Sequence, residues 1–163
     1  MAKMYGEAEL VESYAKKLIG PFHPELATAR IKYIFVDKGS IKSGRPVFGK
    51  VRKISGALEY LTQLDFLVEI ALDHWNELTE QQRTALVDHL LERCWGEESE
   101  EDSGAFKWSI REPDVQEFGS ILQRHGVWND SLGGFVSIAK KIKVDDLVDD
   151  VVSSAARDVT QSN

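Results

Sequence analysis

The stretch Thr79 to Cys94, "TEQQRTALVDHLLERC", constrains the fold most, because it carries both a helix start signal and a face that must be buried. Thr79 offers a hydroxyl to the free amides of a first helical turn, and Gln82, three residues on, returns a bond to the backbone of Thr79. Leu86, Val87, Leu90, Leu91 and Cys94 then recur at helical spacing on one side. Asp88, His89 and Glu92 fall on the other side, with Arg93 at the boundary. The spacing predicts a helix ending at about Cys94. An isolated helix of this length is marginal in water, so the rest of the chain must supply a surface for the apolar stripe.

Three segments read as that surface. "ARIKYIFV" alternates Ile31, Tyr33 and Phe35 with more polar neighbours, the period of a half-buried strand. "PVFGKVRKI" places Val47 and Val51 on the same period, with Gly49 as a candidate bulge. "DKGSIKSG" separates the two, so they are expected to pair as a hairpin with a basic tip. "FLVEIAL" is a third, more apolar strand. Before them, Leu10, Val11, Tyr14, Ala15 and Leu18 predict a helix over Glu7–Leu18 that Gly20-Pro21 stops. After the central helix, "EESEEDSG" reads as a solvated loop, and Phe106, Trp108 and Ile110 as a short strand. Pro113 opens a helix with Val115, Phe118, Ile121 and Leu122 on one stripe and Gly126 at its end, and a further helix covers Leu132–Ile142.

Val144–Ala155 is amphipathic, with Asp145, Asp146, Asp149 and Asp150 opposite its apolar stripe. Like charges four apart repel by a few tenths of a kcal/mol per pair, so this tail calls for a docking surface or a cation. The fold class expected is α+β: a short antiparallel or mixed sheet packed against helices over residues 1–143, then an acidic helix and tail over 144–163.

The 163 residues carry a net charge of -7 and a single cysteine, Cys94. One cysteine excludes an internal disulfide, and no run approaches the roughly 20 apolar residues of a membrane span. The N-terminus lacks the apolar centre of a secretory signal, so a cytoplasmic setting without membrane contact is expected. An acidic body disfavours general affinity for phosphate backbones. The charge is uneven, however. Lys38, Lys42, Arg45, Lys50, Arg52 and Lys53 make residues 38–53 basic, a candidate nucleic-acid surface with Phe48 available for stacking. Glu97, Glu98, Glu100, Glu101 and Asp102 form an acidic run, which with the tail aspartates is a candidate phosphate mimic.

The central helix nearly spells a zinc site. A zinc peptidase helix needs H-E-x-x-H, because residues four apart bring two imidazoles onto one metal and the glutamate activates the bound water. His89 is followed by Leu90 where the base would stand, and Arg93 occupies the place of the second histidine. Arginine stays protonated and has no lone pair to give, and leucine cannot act as a base. Glu92 lies three residues from His89, and a His-x-x-Glu pair of the di-iron kind needs a second copy on a facing helix, which the chain lacks. An unusual hydrolase built on Asp88, His89, Glu92, Glu117 or His125 has no recognised triad spacing, and Gly133-Gly134 is too short for a phosphate loop.

Taken together, "HPELATARIKYIFVDKG", "GKVRKISG", "DFLVEIALDHWNELTEQQRTALVDHLLERC" and "DVQEFGSILQRHGVW" resemble the putative phage metallopeptidases, small zincin-like domains. The resemblance runs from about Phe22 to Phe135. Members carry Asp-His-Glu-Leu-x-His-Cys across what is here Asp88 to Cys94; Asp88, His89, Leu91 and Cys94 match, whereas Leu90 and Arg93 do not. Members also have a histidine ahead of Asp-Val-x-Glu-Phe where this chain has Pro113. The resemblance therefore implies the zincin-like fold with its chemistry removed: no catalytic residue, no zinc or other cofactor, and His89 as a vestigial metal position. It implies a pseudoenzyme acting in the host cell cytoplasm by binding a host or phage protein, with inhibition of a host defence or host enzyme as its purpose. Asp88, His89, Glu92, Arg93 and the acidic run Glu97, Glu98, Glu100, Glu101 and Asp102 are the candidate partner-binding residues.

Overall fold

A computed structural model describes residues 2–142. In chain order they form β1 (Tyr5–Glu7), α1 (Glu9–Phe22), a 3-10 turn at Pro24–Leu26, β2 (Ile31–Val36), β3 (Ser40–Lys42), β4 (Arg45–Val47) and β5 (Gly49–Lys53). Then follow α2 (Ala57–Thr62), β6 (Phe66–Ala71), α3 (Leu72–Glu77), α4 (Glu80–Glu92), β7 (Cys94–Glu98), β8 (Phe106–Ile110), α5 (Gly119–His125) and α6 (Asp130–Lys141). The fold class is α+β. Two compact units divide the chain, Met1–Glu112 and Pro113–Asn163. The segment Val144–Ala155 and the boundary expected at residue 144 lie outside the described residues.

The first unit is built on a four-stranded sheet of order β1-β2-β6-β5. β6 runs parallel to β2 and antiparallel to β5, and β1 is antiparallel to β2. The sequence explains why β6 is central. Five of its six residues are buried, and the charged one, Glu69, meets Arg52 of the neighbouring strand at 2.9 Å. This arrangement corrects the expected hairpin. β5 pairs with β6 instead of β2, and the residues between β2 and β5 close on themselves as the two-stranded β3–β4 ribbon. A segment apolar on both faces gains most from the position flanked on both sides, so β6 displaces the more polar β5 to the edge.

Gly49 is no bulge either. It sits in a regular ladder opposite Ile70, and a Cβ built there would lie 2.8 Å from Leu90 Cδ1 and 3.1 Å from the Glu69 carbonyl oxygen. The missing side chain lets α4 close on the sheet edge.

α4 begins as its sequence requires. Thr79 Oγ1 accepts from the Gln82 amide at 3.2 Å, and Gln82 Oε1 accepts from the Thr79 amide at 3.0 Å. Its buried residues Val87, Leu90 and Leu91 join Val11, Ala15 and Leu18 of α1 with Phe66, Val68 and Ile70 of β6 in one core. Each large aliphatic side chain taken fully out of water contributes roughly 1.5–3 kcal/mol. Trp75 is held edge-on by Tyr14, and Arg83 lies over its ring. At the start of the sheet the buried Asp65 accepts from the Arg30 amide at 2.7 Å and from its guanidinium at 2.8 Å. Burial works against that carboxylate, but the bonds from Arg30 prevail and hold it below its usual range.

Other boundaries differ from the pattern. Tyr5–Glu7 is a strand, and α1 runs to Phe22 with Pro21 in its last turn. A proline so near the end removes one intrahelical bond and leaves the earlier turns intact. α4 stops at Glu92, and Cys94 opens β7, which also takes Glu97 and Glu98 out of the expected loop. α5 starts at Gly119, well after Pro113, and Gly126 closes it at φ 65°. The short helices α2 and α3 were not signalled; α2 exposes Leu58, Tyr60 and Leu61, so it has no buried stripe to read. Among the described residues no helix is long and apolar enough to cross a membrane.

Two buried acids give stability predictions. The Tyr33 hydroxyl lies in the core without a hydrogen-bond partner. Tyr33→Phe keeps the ring and removes the orphan group, so the urea midpoint should hold or rise by the equivalent of up to about 1 kcal/mol. A clear loss of stability would mean that the hydroxyl has a partner. Burial also raises the Tyr33 phenol and pushes the Cys94 thiol from 9.0 to about 12, with Arg93 opposing the second shift. The folded chain thus keeps protons that the unfolded chain has released. The contribution is full below pH 9 and should be lost as pH rises from 9 towards about 12, at roughly 1.4 kcal/mol per pH unit for Cys94 alone. Melting curves across that range should show the fall, and Cys94→Val should flatten it.

Candidate functional site

The last turn of α4 presents successive side chains to different surroundings. Leu90 and Leu91 point into the core. Asp88 points towards α1, where its Oδ1 meets Nε2 of His23 at 2.6 Å. His23 is 2% exposed and caps the end of α1, its amide donating to the Ile19 carbonyl at 2.9 Å. Its Nδ1 lies 3.6 Å from Glu92 and 3.9 Å from Glu25. Glu92 also pairs with Arg111 at 2.6 Å, beyond the end of β8. Asp88 and Glu92 therefore tie α4 to its neighbours.

His89 and Arg93 line a cleft of about 590 Å³, with the buried Leu90 at its floor, and its opposite wall is the β3–β4 ribbon and the edge strand β5. That wall comprises Ser40, Ile41, Lys42 and Val47 with the run Gly49 to Arg52. Lys42, Lys50, Arg52 and Arg93 line the cleft, and among the described residues no carboxylate does. Arg52 is paired with Glu69, and Arg93 with Glu112 at 3.1 Å. The side chains of Lys42, Lys50 and His89 have no hydrogen-bond or ion-pair partner among the described residues. In a chain of net charge -7 this is a local concentration of positive charge.

Tested as a zinc site, these residues do not fit. His89 brings one imidazole; Leu90, 3% exposed, is committed to packing, and Arg93 places a guanidinium beside it. Among the described residues no three His, Cys, Asp or Glu side chains are grouped so as to hold a metal ion. Cys94 is buried, donates to the Leu90 carbonyl at 3.6 Å and keeps its proton, so it offers no thiolate.

The other candidates scatter. Glu97 accepts from the Trp95 indole at 3.1 Å, Glu98 accepts from the Gly104 amide, and Glu100, Glu101 and Asp102 are exposed where β7 turns into β8. None of them lines the cleft. Of the basic set, Lys42, Lys50 and Arg52 converge there, whereas Lys38 borders a smaller recess with Val36 and Ser40. Arg45 and Lys53 are exposed and outside the cleft. The Phe48 ring packs on His74, with centroids 5.1 Å apart. Pro113, Glu117 and His125 belong to the second unit, where Glu117 accepts from the Trp128 indole at 2.9 Å. His23 was given no role from sequence, since a histidine between Phe22 and Pro24 carries no spacing relation to Asp88.

A helix capped by Thr79 packs beneath the edge of a small mixed sheet, with a cleft between its last turn and that edge. Residues 3–151 match the family described as putative phage metallopeptidase, and the chain belongs to that family. No curated protein and no solved structure matches it.

The His23–Asp88 bond joins two distant parts of the chain, so His23→Ala should cost about 1–3 kcal/mol by leaving Asp88 and Glu92 without their common partner. Urea unfolding with far-UV dichroism measures this. A change of a few tenths would assign the pair to the solvated surface.

Proposed function

We propose that this chain is a metallopeptidase-fold protein that does not hydrolyse peptides and acts by binding a host or phage protein, an enzyme of host defence among the candidates. One observation carries the reading. The position that would hold the water-activating base is filled by Leu90, which the fold uses to seat α4 against Gly49, and the position of the second metal ligand by Arg93, which is paired with Glu112. A dication is repelled by such a guanidinium, and no lone pair replaces the missing imidazole. The family match over residues 3–151 supports a kept scaffold, and function is carried by the site and not the scaffold.

Metal analysis of protein purified without added chelator tests the reading, together with peptide hydrolysis in added zinc. The wild-type chain should carry no stoichiometric zinc and cleave nothing. Arg93→His, which sets two imidazoles four residues apart, should gain zinc affinity, since that spacing is what a helix needs to share one ion. Near-stoichiometric zinc in the wild type, with peptidase activity lost on chelation, would overturn the proposal.

A further inference from the structure

We infer that the cleft between α4 and β5 is a receptor for a short acidic segment of a partner protein, taken up in extended form. The inference rests on the binding role proposed above and names the surface and the chemistry that would serve it.

The charges come first. Lys42 and Lys50 are exposed and their side chains are unpartnered among the described residues, while Arg52 and Arg93 stand behind them, each already held by one carboxylate. The paired arginines are fixed in place, and the two lysines keep their full charge for an incoming anion. Among the described residues the lining holds no carboxylate, and Glu69, opposite Lys50 in the ladder, is taken up by Arg52. Groups of one sign gathered in a concave surface focus the field and speed capture of the opposite charge.

The backbone of β5 selects a peptide over a nucleic acid. The Phe48 carbonyl accepts from the Ala71 amide at 2.9 Å, and the Ile54 amide donates to the Asp65 carbonyl at 2.8 Å, so the even-numbered residues of this stretch turn their backbone groups towards β6. By the alternation of an antiparallel ladder, Gly49 and Val51 turn theirs outwards. β5 is the last strand of its sheet, and both residues line the cleft. β8 also packs against β5, its Trp108 on Phe66, the ladder partner of Lys53, while Gly49 and Val51 line the cleft. An extended peptide can supply backbone donors and acceptors to Gly49 and Val51 while its acidic side chains on the Lys50 face of the strand reach Lys42 and Lys50. A phosphodiester backbone has no amide to pair with them, and its length would carry it onto an otherwise acidic body.

The probes are a labelled decapeptide of alternating Glu and Val, its Gln–Val counterpart, and a single-stranded DNA decamer, each titrated by fluorescence anisotropy against the full chain. The acidic peptide should bind at least about tenfold more tightly than the neutral one and weaken as salt is raised. Lys42→Glu with Lys50→Glu should abolish that preference. Both lysines are exposed, so unchanged melting of the double variant separates lost binding from lost folding. Amide resonances of Gly49 and Val51 should shift on binding in the wild type. Equal binding of the acidic and neutral peptides, tighter binding of the DNA, or no binding to either peptide overturns the inference while leaving the non-hydrolytic reading intact. Zinc-dependent cleavage of a peptide probe would instead overturn that reading.

Discussion

The contact between Leu90 and the backbone at Gly49 sets the distance between α4 and the sheet, and most of the first unit is organised around it. With a Cβ built only 2.8 Å from Leu90 Cδ1, the strand could not keep its present approach to the helix. Close approach buries Leu90 and Leu91 with Phe66, Val68 and Ile70, and it brings the next residues of the helix, His89 and Arg93, to the lip of the same edge strand. Packing and site geometry follow from one glycine–leucine pair. The same pair explains why a carboxylate is excluded at position 90: a glutamate there would place charge in a space filled to 3% exposure, at a desolvation cost of several kcal/mol.

A division of labour along the last turn of α4 follows. Successive residues on a helix are about 100° apart and residues four apart share a face, so Asp88 to Arg93 divide among three environments. Asp88 and Glu92 are engaged by His23 and Arg111 and hold the helix to α1 and to the end of β8. Leu90 and Leu91 are core. His89 and Arg93 remain for the cleft, and their chemistry is basic on both counts. Of the four, Asp88 and Glu92 meet α1 and the end of β8, while His89 and Arg93 line the cleft.

Much of this was legible in the residues, and the failures share a cause. The α4 cap, its stripe, the strand at β2 and the apolar run at β6 were readable because each signal is local: a hydroxyl and an amide three residues apart, or a repeat within a single element. What failed was pairing. "PVFGKVRKI" has a strand's period, but nothing in it says that β6, later in the chain, will come between it and β2. The basic residues likewise read as one hairpin tip, whereas the chain distributes them over the β3–β4 ribbon and β5, and only Lys42, Lys50 and Arg52 meet in the cleft. His23 escaped notice because its bond to Asp88 spans 65 residues. The short helices α2 and α3 carry six residues each, too few for a periodicity to declare itself.

Arg93 gives the cleft a different kind of positive centre from a bound metal ion. A bound dication both attracts anions and lowers the pKa of a coordinated water, so recognition and catalysis share one charge. A guanidinium keeps the first property, as a donor-rich cation suited to carboxylates, and lacks the second, since it has no open coordination position and no proton to exchange near neutrality. It is also covalently part of the fold, so the charge does not depend on metal supply, and its bond to Glu112 fixes it against the wall at 3.1 Å. On the proposed reading, such a cleft would keep a reason to bind acidic groups without the means to act on them. Lys42 and Lys50, without side-chain partners among the described residues, add positive charge to the lining.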